Sequence, residues 1–131
     1  MKMKYVIILI LLFFIQNFAF AQVKEERKQI IGVWMEEHKN QQFEFKTNGE
    51  CIEYLPSNKS YNKYTYKISD TIPVCIPKGS IEPGEKATFL EMVNKKTGLK
   101  LCYEINGFTP KTLSLSPLGR VGVQFFNRMK K

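Results

Sequence analysis

The chain has 131 residues, of which 44% are hydrophobic and 24% are charged, and its formal net charge is +8 at neutral pH. This length suits one domain that buries a modest core. Because the lysines are spread along the chain and form no long block, the charge favours solubility or affinity for anionic surfaces over nucleic-acid binding.

The N-terminus has the pattern of a secretory signal peptide. Lys2 and Lys4 precede an unbroken apolar run from Tyr5 to Ile15, and Ala19-Phe20-Ala21 has the small-x-small form of a cleavage site. The run is well short of the roughly 20 residues that span a membrane, so an uncleaved anchor is the weaker alternative. We predict a signal peptide at residues 1–21, cleavage near Ala21, and an exported domain, periplasmic or extracellular, at residues 22–131.

The start of the mature chain holds the single tryptophan of the sequence. Val23 to Ile31 places apolar residues around a charged middle, which predicts a short helix or turn. The segment from Ile31 to His38 alternates in the manner of a strand. A tryptophan buries on the order of 200 Å², so Trp34 is predicted to be a core anchor, and Gly32 lets the backbone approach closely.

A hairpin is predicted directly after this strand. Two alternating segments flank Asn48-Gly49, which is the strongest short hairpin signal. A two-residue turn would place Phe45 opposite Ile52 and Phe43 opposite Tyr54 on one apolar face. The other face would hold the polar residues and one cysteine, namely Glu44, Lys46, Cys51 and Glu53.

Two strands with different patterns follow the hairpin. Tyr61 to Ser69 directs Tyr64, Tyr66 and Ile68 inward and its lysines outward. The segment from Ile72 to Ile76 contains one proline and is followed by another, which suggests an edge strand or a bent strand. Residues 78–86 form the longest predicted loop.

The last third of the chain contains four predicted strands. The facing of Ala87 to Asn94 is left open by its pattern, because Glu91 shares a side with Phe89 and Val93. The next strand directs Leu99, Leu101, Tyr103 and Ile105 inward, and Asn106-Gly107 predicts a turn after it. Two further strands are predicted at Lys111 to Ser116 and at Val121 to Arg128.

These segments predict an all-β protein of eight or nine short strands with a short N-terminal helix. Consecutive hairpins give an antiparallel meander, which closes into an up-and-down barrel or splits into a sandwich. We predict a single small antiparallel up-and-down β-barrel. The interior of an eight-stranded barrel holds side chains or one small ligand.

Gly32-x-Trp34 on the first strand and Arg128 at the end of the last one resemble the lipocalin (calycin-type) pattern. In that family the arginine lies across the tryptophan ring and closes one end of the barrel. The segment from Cys75 to the end is similar to small exported lipocalin-like proteins of bacteria, through Leu101 to Gly107, Thr109 to Ser116 and the closing Phe126-x-Arg128. The mature chain is shorter than a full-length lipocalin, which argues against a roomy cavity.

The resemblance implies a disulfide between Cys75 and Cys102, since a cysteine pair occupies these places in such relatives. An exported chain meets oxidising conditions, and three cysteines permit one bridge and one remaining thiol. A bridge between Cys51 and Cys75 is the alternative. Because the spacings contain no C-x-x-C, we predict no zinc site, even with His38 as a further ligand.

No catalytic unit is predicted, and we expect the protein not to be an enzyme. His38 and Asp70 lie on different elements at turn-like places, far from the arrangement that activates a nucleophile. Glu44 and Glu53, as neighbours on the polar face of the hairpin, are a poor glycosidase pair because they would be solvated. We also predict no nucleic-acid platform on the strand with Tyr61, because the lysines and the inner tyrosines face opposite ways.

The aromatic side chains predicted inside the barrel suggest two functions. They line a cleft for a small hydrophobic ligand, or they are the packed core of a filled barrel that acts through its outer surface. In the second case the partner would be an anionic envelope polymer or another protein. We expect a monomer without a cofactor. The candidate ligand-binding residues are Phe43, Phe45, Tyr54, Tyr64, Tyr66 and Tyr103.

Overall fold

A computed structural model describes residues 7, 8, 10, 23–75 and 87–130. The predicted signal peptide lies outside these ranges except for three positions, and it stays a prediction. The predicted loop at residues 78–86 also lies outside them. Within the described ranges, none of the helical segments has the length and hydrophobicity needed to span a bilayer.

Eight strands and a preceding short helix form the described fold. The helix, α1, covers residues 23–29. The strands are β1 (Gly32–Glu36), β2 (Gln42–Phe45), β3 (Glu50–Leu55), β4 (Ser60–Ser69), β5 (Thr88–Asn94), β6 (Lys100–Phe108), β7 (Thr112–Pro117) and β8 (Gln124–Arg128).

The eight strands close into one antiparallel barrel. Each strand pairs with the next along the chain, and β8 pairs with β1, so no strand edge is left open. This confirms the predicted all-β, up-and-down barrel with a short N-terminal helix. The barrel has two different ends: α1 lies at the closed end, and the opposite end, which we call the mouth, is formed by the loops at residues 37–41, 56–59, 95–99 and 118–123.

Trp34 and Arg128 seal the closed end, as the family resemblance implies. Trp34 is fully buried, and the Cζ atom of Arg128 lies 4.2 Å from the centroid of its ring. Phe108 contacts the same ring edge-on, with 5.7 Å between the centroids. A guanidinium over an indole ring is an attractive cation–π contact, so β8 is held against β1 by more than its backbone pairing.

The same two side chains satisfy the end of α1. Trp34 Nε1 donates a hydrogen bond to the carbonyl of Ile30 over 2.8 Å. The Arg128 guanidinium donates to the carbonyls of Ile31, at 2.7 Å, and Gln29. Because the last carbonyls of a helix lack partners within the helix, a cation at this place stabilises the helix end as well as the barrel.

The β2–β3 hairpin has a different register from the predicted one. Phe45 pairs with Cys51 and Phe43 pairs with Glu53, one residue away from the expected partners. Lys46 N donates to Glu50 O and Gly49 has a φ of 83°, so the loop contains three residues and not two. Three-residue loops of this kind end on a residue in the left-handed region, which Gly49 supplies.

The extra residue in the loop reverses which side chains of β3 point into the barrel. Cys51 and Glu53 are buried with Phe43 and Phe45, while Ile52 is only half-buried. The predicted apolar face with Ile52 and Tyr54 is therefore wrong. A shift of one residue moves every side chain of a strand to the other face.

Asn106-Gly107 does not form the predicted turn. Both residues lie inside β6, where the register with β7 shifts between Ile105 and Gly107. The turn comes later, where the backbone of Thr109 donates to Thr112 O. A glycine inside a strand is often the mark of such a bulge, and here it lets β6 continue to Phe108, which contacts Trp34.

The alternation predicted for β4 fits the observed burial, whereas the predicted inward position of Leu99 is wrong, because Leu99 precedes β6 in a loop and is 66% exposed. Tyr64 and Ile68 on β4 are buried between exposed lysines. On β5 the facing is now defined, since Leu90 and Met92 are fully buried and Glu91 is on the outside. Glu91 forms ion pairs with Lys67 at 3.7 Å and Lys100 at 3.6 Å. The remaining fully buried large side chains are Ile30, Trp34, Phe43, Phe45, Phe89, Leu113, Leu115 and Phe126.

We predict that Gly32→Ala destabilises the barrel more than Gly122→Ala, by about 1–3 kcal/mol. Both glycines have positive φ, 135° and 125°, but a Cβ on Gly32 would lie 2.5 Å from Arg128 Nη1, whereas a Cβ on Gly122 has nothing within 4 Å. Urea unfolding of both variants measures the difference. Equal losses would show that the Arg128 contact does not require a glycine at position 32.

Candidate functional site

The structure brings five of the six predicted interior side chains together. Phe43, Phe45, Tyr64 and Tyr103 are buried in the core cluster, and Tyr66 is half-buried and packed against it. Phe43 is their centre: its ring stacks on Phe126 at 5.3 Å between centroids and contacts Phe45 at 5.6 Å and Tyr103 at 6.5 Å. These rings fill the barrel between the closed end and the mouth, so most of the predicted lining is packed core.

Tyr54 is the sixth predicted interior residue, and it lies on the outer face. Its ring contacts the ring of Tyr61, with 4.7 Å between the centroids, and Tyr61 is 66% exposed. The inverted register of β3 is the physical reason, because Tyr54 follows the inward-facing Glu53.

Glu53 takes the place predicted for an apolar side chain in the interior. It is only 6% exposed, and its carboxylate accepts hydrogen bonds from three side chains. Asn62 and the hydroxyl of Tyr64 donate to Oε2 over 3.0 and 2.9 Å, and Gln41 donates to Oε1. A buried carboxylate needs such partners, and these three donors satisfy most of its acceptor positions.

Sequence reasoning missed this carboxylate because it assumed a two-residue turn. The signal that would have found it is on β4, where Asn62 precedes Tyr64 on the inward side. An inward asparagine requires a polar partner on the neighbouring strand. Glu44, by contrast, pairs with the outward-facing Ile52, so Glu44 and Glu53 lie on opposite faces and not on one polar face as predicted.

The charge of Glu53 and the dry surroundings shift three neighbouring groups in the same direction. Burial, with Glu53 as the next cause, raises the pKa of Tyr103 to about 12. Burial and the hydrogen bond to Glu53 raise the pKa of Tyr64, and burial with the Glu53 charge raises the pKa of the Cys51 thiol. The raised pKa values keep these three groups protonated at neutral pH.

A cleft of about 360 Å³ opens above this network at the mouth. Gln41 and Glu53 form its floor, and Gln124 at the start of β8 adds a third polar side chain. The Oε1 atom of Gln124 is buried and has no hydrogen-bond partner in the described part of the chain. The other lining residues are Cys75, Lys100, Leu101, Cys102, Tyr103, Pro117, Leu118 and Arg120.

A disulfide joins Cys75 to Cys102 at the edge of this cleft, as the family resemblance implies. The Cα atoms of the pair are 6.5 Å apart, within the usual range for a bridge. Residues 70–75 form bends and turns, so the described part of the predicted strand from Ile72 to Ile76 is not a strand. A disulfide favours an oxidising compartment.

Cys51 is the free cysteine, and it is fully buried. The predicted outward orientation is wrong for the same reason as for Tyr54, since the register of β3 places Cys51 inside, opposite Phe45 and Tyr64. It packs in the core cluster as a small apolar side chain.

His38 lies at the mouth but outside the cleft. Its side chain is 72% exposed and is 3.3 Å from the carboxylate of Glu37. Ligand atoms of Glu36, Glu37 and His38 lie within 4.8 Å of one another. Glu36 Oε2, however, accepts the backbone N–H groups of His38 and Asn40 and so closes the turn, and we assign no metal site to this cluster.

Comparison with known proteins adds no relative. A scan against protein-family models and a search of curated proteins each find no match to this chain. The lipocalin resemblance therefore stays a prediction that is carried by Gly32, Trp34, Arg128 and the cysteine pair.

We predict that the native protein does not react with a thiol reagent such as 5,5′-dithiobis(2-nitrobenzoate), because Cys51 is buried and its pKa is raised. In denaturant without reductant, one thiol should react, since one described cysteine is free. A Cys51→Ala variant is the control and should show none. Fast reaction of the native protein would contradict the inward position of Cys51.

We predict that the barrel loses stability as the pH rises through the alkaline range. The Tyr103 pKa is about 12 in the folded state and near 10 in the unfolded chain, so its contribution is complete below pH 10 and disappears as the pH approaches 12. From pH 9 to 12 a Tyr103→Phe variant should lose about 2–3 kcal/mol less than the wild type. Urea unfolding across this range measures both curves, and parallel curves would refute the assignment.

Proposed function

We propose that this protein is an exported, lipocalin-like binding protein that holds a small ligand in the mouth cleft. The observation that carries the proposal is the difference between the two barrel ends. Trp34 and Arg128 seal one end, while a cleft of about 360 Å³ with a buried carboxylate on its floor opens at the other. Small-molecule sites are clefts of roughly 300–1,000 Å³ with a few placed polar groups among apolar walls.

Apolar residues in the cleft would contact the hydrophobic part of a ligand, while polar atoms make up the larger share of the lining. Leu101, Tyr103 and Leu118 provide apolar surface above the floor, and the packed rings around Phe43 prevent deeper entry. The ligand would thus sit at the mouth and would not fill the barrel. The buried carboxylate and the amides on the floor add a polar end to the small hydrophobic ligand predicted from the sequence.

The proposed location is outside the cytoplasm, in the periplasm or beyond the cell, after cleavage near Ala21. The leader-like pattern of residues 1–21 and the disulfide between Cys75 and Cys102 support it. We further propose a monomer that is not an enzyme, does not bind nucleic acid and needs no cofactor. The protonated state of Tyr64, Tyr103 and Cys51 at neutral pH is in keeping with a binding role.

A second candidate function is a filled barrel that acts through its outer surface. The packed interior favours it, because the large side chains from Trp34 to Phe126 leave little room below the mouth. In this case the partner would be an anionic envelope polymer or another protein, and the spread lysines would provide the attraction.

Native mass spectrometry of the mature protein from its own host tests the first function. The wild type should carry a non-covalent extra mass that leaves on denaturation. Leu118→Trp fills the cleft and should lose this mass. Val121→Trp is the matched control on the same loop; Val121 is fully exposed, so the variant should keep the mass. A bare wild-type mass, or retention by Leu118→Trp, would overturn the proposal and favour the second candidate.

A further inference from the structure

The floor of the mouth cleft offers hydrogen-bond acceptors in need of a donor. A carboxylate has about four acceptor positions on its two oxygens. Asn62 and Tyr64 occupy two positions on Glu53 Oε2, and Gln41 occupies one on Oε1. Of these three donors Gln41 lines the cleft, so the Oε1 side of the carboxylate, with one position left, faces it.

Gln124 supplies a second acceptor on the same floor. Its Oε1 atom is buried and has no partner within the residues the structure describes. A buried carbonyl oxygen without a hydrogen bond destabilises the fold, and a donor in the cleft would offset that cost. Glu53 and Gln124 both line the cleft, the first from β3 and the second from β8.

The rim of the cleft carries the opposite charge. Arg120 is exposed on the loop at residues 118–123, and it lies close enough for its charge to offset part of the rise in the Tyr103 pKa. Lys100 also lines the cleft, but its ammonium pairs with Glu91 at 3.6 Å. Arg120 takes part in no ion pair among the described residues, so it is the cation available to a ligand.

We infer that the mouth cleft selects a small amine, and best a zwitterion, whose ammonium group enters first. The ammonium would donate to Glu53 Oε1 and Gln124 Oε1, the apolar body would lie against Leu101 and Leu118, and a carboxylate would point to Arg120. This assignment rests on the proposed small-molecule function and adds the chemical class of the ligand. A desolvated carboxylate favours a cationic donor over a neutral or anionic group.

Three probes with one aromatic body test the charge preference: phenethylamine, phenylalanine and 3-phenylpropionate. Calorimetric titration of the disulfide-bonded mature protein should give affinities for the amine and the zwitterion at least about tenfold above that for the acid, as expected for one charge-assisted hydrogen bond. Equal or tighter binding of 3-phenylpropionate would overturn the inference.

Substitutions assign the preference to its residues. Glu53→Gln should remove most of the preference for the ammonium group. Arg120→Gln should weaken phenylalanine severalfold and leave phenethylamine unchanged, whereas Lys63→Gln, an exposed lysine on β4 outside the cleft, should change neither. If Glu53→Gln does not fold, Gln124→Met removes the second acceptor and should lower amine affinity. An unchanged order of the three probes in a folded variant would refute the roles given to Glu53 and Gln124.

The host-ligand and probe-binding experiments together distinguish the inferred ligand class from the proposed binding function on which it rests. A ligand retained from the host that Leu118→Trp displaces, together with no preference for the amine probes, leaves the binding function standing and removes the ligand class. Absence of both a host ligand and any probe binding would overturn the two together.

Discussion

The contact between Arg128 and Trp34 is the interaction on which the rest of the fold depends. Arg128 is the last residue of β8, and Trp34 lies in the middle of β1. Their contact therefore closes the barrel where its first and last strands pair. The same guanidinium holds α1 through the carbonyls of Gln29 and Ile31. Gly32 makes room for it, since any Cβ there would meet Nη1. Because three elements converge on one side chain, the barrel interior is closed at this end, so an interior site would open at the mouth.

The number of residues in one loop decides what the mouth contains. With Thr47, Asn48 and Gly49 all in the β2–β3 loop, β3 directs Cys51 and Glu53 inward. A two-residue loop would have placed Ile52 and Tyr54 there and given an apolar mouth. The three-residue loop instead brings a carboxylate to the inward asparagine and tyrosine of β4, and the polar floor, the raised pKa values of its neighbours and the buried thiol all follow from it.

The fold class was predictable from the sequence because it depends on local signals, namely the alternation on strands such as β4 and β7. The seal was expected only from the family resemblance, which is carried by Gly32, Trp34 and Arg128. The register of β3 was not predictable in this way. Polar and apolar residues alternate from Glu50 to Leu55 so that either face could point inward, and the geometry of the preceding turn decides between the two faces. Asn106-Gly107 is likewise a turn signal in the sequence, but in the fold it lies at a bulge in the pairing of β6 with β7. The cleft could not be predicted at all, since its floor combines Gln41, Glu53 and Gln124 from separate strands and loops.

The energetic cost of Glu53 is the strongest physical reason to regard the mouth as a site. Burying a carboxylate costs several kcal/mol unless its partners compensate, and a well-packed apolar residue at such a position is often neutral or stabilising. Three side chains, Gln41, Asn62 and Tyr64, are committed to satisfying Glu53, and none of them would be needed if the position were apolar. Gln124 adds a buried oxygen that the described fold leaves unpaired. Both features favour the proposed role of this floor in receiving the ammonium group of a ligand.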